Sequence, residues 1–356
     1  MVFAGDFAQL PPAMGGENVS LYSRVIGAIS SNIKSQEEAI GKALWHQVTT
    51  VVILRKNMRQ QKVSDANKQF RKLLENLRYK SCAAEDIAFC RSLITSTVPG
   101  NHCITDDEFR NTSIITGRNI HKDEINRVGK SNATGKKGRH VGNITDEIQQ
   151  SLWDQPPSST DKLIAGKLSL CIGLPIIQFE GLPENVVPLT RSSTTIRASL
   201  PNDNAIFISR SQVEVLVNFA MTDFASQGKT RPKNPVDLHN LQTHQAYYTA
   251  LSRSSTAEGT IILQGFDTQK MTGGASGALR QEFREIELLD KITNLRYLGK
   301  LHKSVIGCTR NQVIKCFREW KDERTWTAHF LNMQNGALSN ILNQFKLLLQ
   351  GQKTFE

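Results

Sequence analysis

No run of eighteen or more apolar residues occurs in the 356 residues, and no basic flank followed by an apolar segment stands at the N-terminus. The first absence excludes an apolar membrane-spanning helix of ordinary length, and with the second no secretory signal is expected. The cysteines (Cys82, Cys90, Cys103, Cys171, Cys308 and Cys316) include no C-x-x-C pair. Scattered in this way they fit neither a zinc site nor a disulfide framework, and a reduced intracellular compartment is expected. A Gly-Lys-Thr triplet stands at Gly228 to Thr230, but the residue five places ahead of Gly228 is Asp223 rather than glycine. It is therefore not a phosphate-cradling Walker A loop.

What is present is basic and globular. Hydrophobic residues make up 39% of the chain, enough for a sizeable core, and the length allows two or three domains. A net charge of +11 and a pI near 9.4 fit a phosphate-backbone partner, because each Lys or Arg that neutralises a phosphate releases condensed counterions.

Patterning places the elements. Val213, Val215 and Val217 alternate as a strand does, and the chain then breaks into small polar residues at Ser226 to Gly228, as at a strand end carrying a working loop. Past a loop rich in Pro and Asn, Thr243 is placed to cap a helix burying Tyr247, Tyr248 and Leu251, and Gly259 with Thr260 to Leu263 opens another strand. Strand, loop, helix, strand predicts an α/β layer with a mostly parallel sheet, whose ligands sit outside the carboxyl ends of the strands.

Upstream, a surface crossover from Met14 to Gly41 precedes a short helix around Ala43 to Trp45, and Val48 to Leu54 reads as a buried strand. Ser64 can cap a helix with Phe70, Leu73, Leu74 and Leu77 on one face, and a second helix is expected near Asp86 to Leu93. A strand at Ser113 to Thr116, a Gly117 turn and a helix carrying Ile120, Glu124 and Val128 follow. The Lys-rich stretch from Gly129 to Gly142 reads as a solvated loop, with contact to DNA phosphates as the alternative. Leu168, Leu170 and Ile172 alternate in a β-rich insertion that begins near Leu163. After Phe266, a hinge at Gly273 to Gly277 leads into a helical tail with apolar stripes at Leu279 to Leu289 and Leu338 to Leu349, read as packing faces.

Four blocks stand in series: Gly5-Asp6-Phe7-Ala8-Gln9-Leu10-Pro11-Pro12, Asn57-Met58-Arg59-Gln60, Ser226-Gln227-Gly228-Lys229-Thr230 and Ala250-Leu251-Ser252-Arg253. As an ordered set they resemble the later motifs of the Pif-type DNA helicases, a branch of superfamily 1, over roughly residues 1 to 265. The resemblance implies an α/β RecA-like P-loop NTPase fold: two RecA-like domains clamping ATP and Mg²⁺ while single-stranded DNA crosses their top. On it, residues 1–43 end the first such domain, 44–162 and 212–270 form the second, 163–211 are a small, truncated β-barrel insertion and 271–356 a helical tail. Gln9 would sense the γ-phosphate, Arg59 and Arg253 would reach toward it, and Asp6 and Gly228 would lie at the nucleotide. Thr222, Ser226 and Gln227 would donate to DNA phosphates.

Physical chemistry supports these roles. Phosphoryl transfer asks for positive charge where negative charge develops, and a guanidinium is permanently charged and can fork two hydrogen bonds onto phosphate oxygens. Glutamine offers a neutral donor and acceptor suited to an attacking water. The chain also departs from the family pattern. The Walker A loop and acidic Walker B pair would lie upstream of Met1, so the resemblance implies the C-terminal portion of a motor, inactive by itself, with the missing N-terminal RecA-like domain and single-stranded DNA as partners. The chain passes at once from Pro175 to Phe179 and Gly181, which predicts an incomplete barrel, and Phe224 and Ala225 stand where relatives often carry His or Asn followed by Lys. Two readings remain in view: the motor portion of an ATP-dependent DNA helicase, intracellular with nucleus or mitochondrion as destination, or a non-catalytic nucleic-acid-binding fragment or truncated product without function.

Overall fold

The computed structural model describes residues 2–23, 33–95, 103–109, 112–129, 135–137, 153, 157–160, 167–169, 176–177, 191–199, 205–213 and 216–321. The chain divides into one unit of Met1–Asn57 with Gly274–Glu356 and another of Met58–Gly273.

The 58–273 unit is built on a four-stranded, wholly parallel sheet in the order Thr260–Ile262, Asn234–Val236, Ile114–Thr116, Ala220–Thr222. Ile115 pairs with Met221 on one side and Val236 on the other, and Ile115, Val236, Ile261 and Ile262 are fully buried. Burial on both faces is what a parallel sheet sandwiched by helices demands, and the expected α/β layer is present. After the 114–116 strand the chain adds the 220–222 strand on one side and then the 234–236 strand on the other, which makes a switch point beside Thr116.

Two strand expectations change. The 234–236 strand lies in the stretch read as a Pro- and Asn-rich loop. It tolerates Pro235 because the ladder uses the flanking N–H groups: Asn234 donates to the Gly259 carbonyl (2.7 Å) and Asp237 to that of Ile115 (2.8 Å). The valines of the expected strand divide differently, since Val213 ends a strand (Ala205–Val213) paired antiparallel with Arg191–Ser199, and Val217 pairs with Ile176. Lys136 and Lys137, expected in a solvated loop, lie in a strand pair with Lys167–Ser169. Gly129 closes a helix, and the rest of the 130–142 stretch, like Leu170 and Ile172, lies outside the described residues.

The helices around this sheet follow their caps. The Ser64 hydroxyl accepts from the Asn67 N–H (3.1 Å) and opens Asp65–Arg78, which buries Phe70, Leu73, Leu74 and Leu77. A helix follows at Ala84–Ser92. In Asn119–Gly129, however, Ile120 and Val128 face solvent. That helix is held by buried Asn126, whose side chain donates to the Ala220 carbonyl (3.2 Å) and accepts from its N–H (3.0 Å).

In the other unit, the helix expected around Ala43 spans Ile33–Trp45. Val48 to Leu54 is extended but is not a ladder strand. Helix side chains take the place of a neighbouring strand, as Val51 N–H donates to Thr293 Oγ1 (3.1 Å) and Ile53 N–H to Asp290 Oδ1 (2.8 Å), leaving Val52 and Leu54 exposed. Gly277–Tyr297, capped by Ser276, packs on Arg310–Lys321 through Leu289, Ile292, Val305, Val313, Ile314 and Phe317. Beneath them Arg310 is buried, with Nη1 at 2.9 Å from both Glu282 oxygens and 3.3 Å from Glu285, and its guanidinium 4.9 Å from the Trp45 ring centre. The expected stripe at Leu338 to Leu349 lies outside the described residues.

Candidate functional site

Thr243 accepts from the Ala246 N–H (3.1 Å) and opens His244–Leu251, anchored by buried Tyr247 and Leu251; Tyr248 is only half-buried. The chain then turns through Ser252, Arg253 and Ser254, and this turn is held from several sides. Arg59 Nη1 donates to the Ser252 carbonyl (2.7 Å), and the buried Gln60 amide donates to the carbonyls of Ser252 (3.5 Å) and Ser254. The Arg253 carbonyl accepts from the Arg231 N–H (2.8 Å), and Asn234 Nδ2 reaches the Ala250 carbonyl (2.9 Å) and Ser254 Oγ (2.8 Å). Arg59 Nε donates to Thr230 Oγ1 (3.0 Å). Three blocks far apart in sequence, Asn57 to Gln60, Ser226 to Thr230 and Ala250 to Arg253, thus meet through Arg59, Thr230 and Ser252.

The two arginines differ in setting. Arg59 is half-buried, and burial pulls its pKa below the ordinary guanidinium value, against the opposing influence of Tyr248. Arg253 is 1% exposed. Its Nε donates to the Thr249 carbonyl (2.9 Å) and Nη2 to Ser252 Oγ (2.9 Å), so its guanidinium lies along the end of its own helix. Arg231, which binds Asn234 Oδ1 (3.0 Å), is brought down to about 10 by burial.

Beside the 220–222 strand, Thr222 accepts from the Ala225 N–H (3.3 Å) and caps the one-turn helix Asp223–Ser226. Gln227 and Gly228 are exposed, and Gly228 has φ +85°, a left-handed conformation that suits glycine. Ser226 is different from expectation. It is fully buried and donates to the Asp223 carbonyl (2.7 Å), so its hydroxyl supports the loop from inside rather than facing a backbone phosphate. Asp223 is buried as well, and desolvation raises its carboxyl to about 6, partly offset by hydrogen bonds from the backbone N–H groups of Phe224 and Asp223.

Asp6 and Gln9 belong to the other unit. Asp6 Oδ1 accepts from the Ala8 N–H (3.0 Å) and its carbonyl from the Gln9 N–H (3.0 Å), a turn fixed by Phe7, whose ring lies edge-on to Tyr22 (5.3 Å) and Trp45 (5.4 Å). Sequence alone gives no role to Gln60, Arg231 or Asn234. The signal for Gln60 is its place next to Arg59 in the Asn57 to Gln60 block; a buried Asn ahead of Pro235 carries none.

Chemically, the junction in the 58–273 unit offers guanidinium and hydroxyl groups, a donor set that fits phosphate oxygens and includes no carboxylate for a divalent ion. Among the described residues no group of three or more His, Cys, Asp or Glu could hold a metal, and no helix is long and apolar enough to cross a membrane.

No family model and no curated protein matches the chain. Solved structures do. The Pif1 helicase from Candida albicans is 15% identical, with 80% of this chain and 67% of that one covered and a TM-score of 0.48. Pif1 helicase from Bacteroides, in complex with ADP-AlF3 and ssDNA, is 18% identical, with 67% of this chain and 57% of that one covered and a TM-score of 0.43. Bacteroides Pif1 bound to ssDNA gives 16%, 69%, 56% and 0.42 in the same order. The chain spans little more than half the length of the Bacteroides protein. Its α/β architecture stands on its own parallel sheet.

Proposed function

We propose that this chain is the C-terminal motor portion of a Pif-type DNA helicase, which couples ATP hydrolysis to DNA unwinding. The observation that supports this reading is the junction of Arg59, Thr230 and Ser252, because it joins three of the four motif blocks through direct hydrogen bonds. In this reading Arg59 and Arg253 face the γ-phosphate, Gln9 orients the attacking water, Asp6 and Gly228 serve the nucleotide, and Thr222 and Gln227 donate to single-stranded DNA. ATP brings the scissile phosphoanhydride, and Mg²⁺ would be held by acidic residues of a further segment that also carries the phosphate-cradling loop. Unwinding would serve replication, recombination, repair or mobile-element movement, in the nucleus or a mitochondrion.

The test is complementation. An N-terminal RecA-like half from a Pif relative, fused ahead of Gly5 or co-expressed, should give ATPase activity stimulated by single-stranded DNA. Arg59→Ala and Arg253→Ala should each lower turnover by about three orders of magnitude, the lower end for an arginine finger, while DNA affinity is kept. Gln9→Ala should cost less, since a neutral side chain stabilises less developing charge. An active hybrid whose arginine variants keep full turnover would overturn these roles.

A second reading, a nucleic-acid-binding fragment without hydrolysis, is favoured by the inward guanidinium of Arg253, which must leave Thr249 and Ser252 to meet a phosphate. It is the better account if the hybrid binds DNA and ATP but never turns over.

A further inference from the structure

Between Asp290 and Glu319 the sequence has no acidic residue, against seven lysines and arginines. The structure sorts these cations. Arg310 turns inward to Glu282 and Glu285, and Lys315 lies 3.9 Å from Glu319. Arg296, Lys300 and Lys303 are exposed at the end of the Gly277–Tyr297 helix and in the loop after it, and the Tyr297 side chain, next to Arg296 in sequence, is 88% exposed.

The backbone of this face is anchored to the unit's interior. Gly299, at φ +67°, closes the helix while the Lys300 N–H donates to the Leu295 carbonyl (2.9 Å) and the Gly299 N–H to that of Arg296 (3.1 Å). Leu301 and Val305 then enter the apolar cluster around Ile292 and Phe317. The His302 ring stacks on Trp320 with centroids 6.0 Å apart and an interplanar angle of 16°, and Lys321 Nζ sits 4.4 Å from the Trp320 ring centre. Exposed cations close in sequence to an exposed ring, on a backbone held in this way, are the elements of a single-strand site: phosphates take the charges and a base takes the ring.

We propose that this face of the unit containing residues 274–321 binds single-stranded nucleic acid, with phosphates on Arg296, Lys300 and Lys303 and a base stacked on Tyr297. An anionic membrane would call for a continuous apolar helix face, and here Leu279, Leu289 and Ile292 are spent in the interior. The inference stands on charge and geometry alone and does not depend on the motor reading.

The experiment titrates the full 356-residue chain into fluorescein-labelled oligo-dT and oligo-rU of about 20 nucleotides, longer than one such site needs, and follows anisotropy over a salt series. The triple variant Arg296→Gln/Lys300→Gln/Lys303→Gln should weaken binding at least ~10-fold at low salt. It should also flatten the slope of log K against log salt by about 2, three phosphates at about 0.7 each. Tyr297→Ala should weaken binding several-fold while Tyr297→Phe retains it, because stacking uses the ring and not the hydroxyl. Tighter binding of one oligonucleotide identifies DNA or RNA as the source, and either supports the site. Circular dichroism melts check folding, and single Lys300→Gln and Lys303→Gln variants at exposed loop positions carry the slope test should the triple variant unfold. Parent-like affinity and slope in the folded variants would overturn the proposal even if Thr222→Ala/Gln227→Ala abolished binding, an outcome that leaves the motor reading standing. Binding to phosphatidylserine-containing vesicles but to neither oligonucleotide would replace it with a membrane role.

Discussion

Asp223 shows how a single residue can report on the loop that carries it. Its folded-state pKa of about 6 lies above the ordinary 3.8, so between those values the native state binds more protons than the unfolded chain. Stability from this group therefore falls as pH rises through that window, and its cost is fully present above about 6. Asp223→Asn keeps an acceptor for the Phe224 N–H, now 3.0 Å away, and removes the buried charge. The variant should gain melting temperature over the parent at pH 7 and gain little or nothing at pH 4. A larger gain at pH 4 would mean that the carboxylate is stabilised where it sits. No sequence pattern announces this residue, because an Asp ahead of a Ser-Gln-Gly stretch reads as a surface turn. Its burial arises only when the strand ending at Thr222 enters the sheet.

Among the elements, caps were the most legible features, because a cap is a local event between residues three apart. Ser64 and Thr243 both open helices as their side chains predict. They differ in what else they hold: Ser64 Oγ also donates to Glu258 (3.0 Å), and Asn67 joins Ser64 to both Glu258 oxygens and to the Ala257 N–H. Ser64→Ala should therefore cost about 2 kcal/mol, at the upper end for a cap, and Thr243→Ala about 1. Denaturant titration of the two variants checks the order, and equal losses would show that the Glu258 link adds nothing. What the sequence hid were elements defined by distant partners. Val48 to Leu54 has the composition of a strand, yet its N–H groups go to Thr293 and Asp290, more than two hundred positions away. Asn234-Pro235 reads as a turn and becomes an interior strand because Gly259 and Ile115 happen to accept from either side of the proline. The site was legible to a similar degree. Its motif blocks could be found by order along the chain, whereas the Gln60 and Asn234 contacts that hold the Arg253 turn could not.

At the scale of the whole molecule, the proposed motor reading leaves the parts that would read phosphate and the parts that would hold it unevenly represented. In that reading, Arg59, Arg253 and Gln9 would respond to a γ-phosphate already in place. No Gly-x-x-x-x-Gly-Lys-Ser/Thr loop occurs anywhere in the 356 residues to place it. An arginine finger contributes about 10³ to 10⁵ in rate where metal and phosphates are already fixed, and it has nothing to act on where they are not. Arg253 is in addition engaged with Thr249 and Ser252, so its guanidinium starts from a satisfied, buried position. The purified 356-residue chain with ATP and Mg²⁺ should accordingly release phosphate no faster than a protein-free blank, with or without single-stranded DNA, and Arg253→Ala should make no difference. Because a trace of contaminating ATPase can mimic activity, the variant is the decisive arm. Turnover above the blank that persists in Arg253→Ala belongs to a contaminant, whereas turnover that the substitution abolishes would show that this chain fixes the nucleotide with residues outside every motif recognised in it.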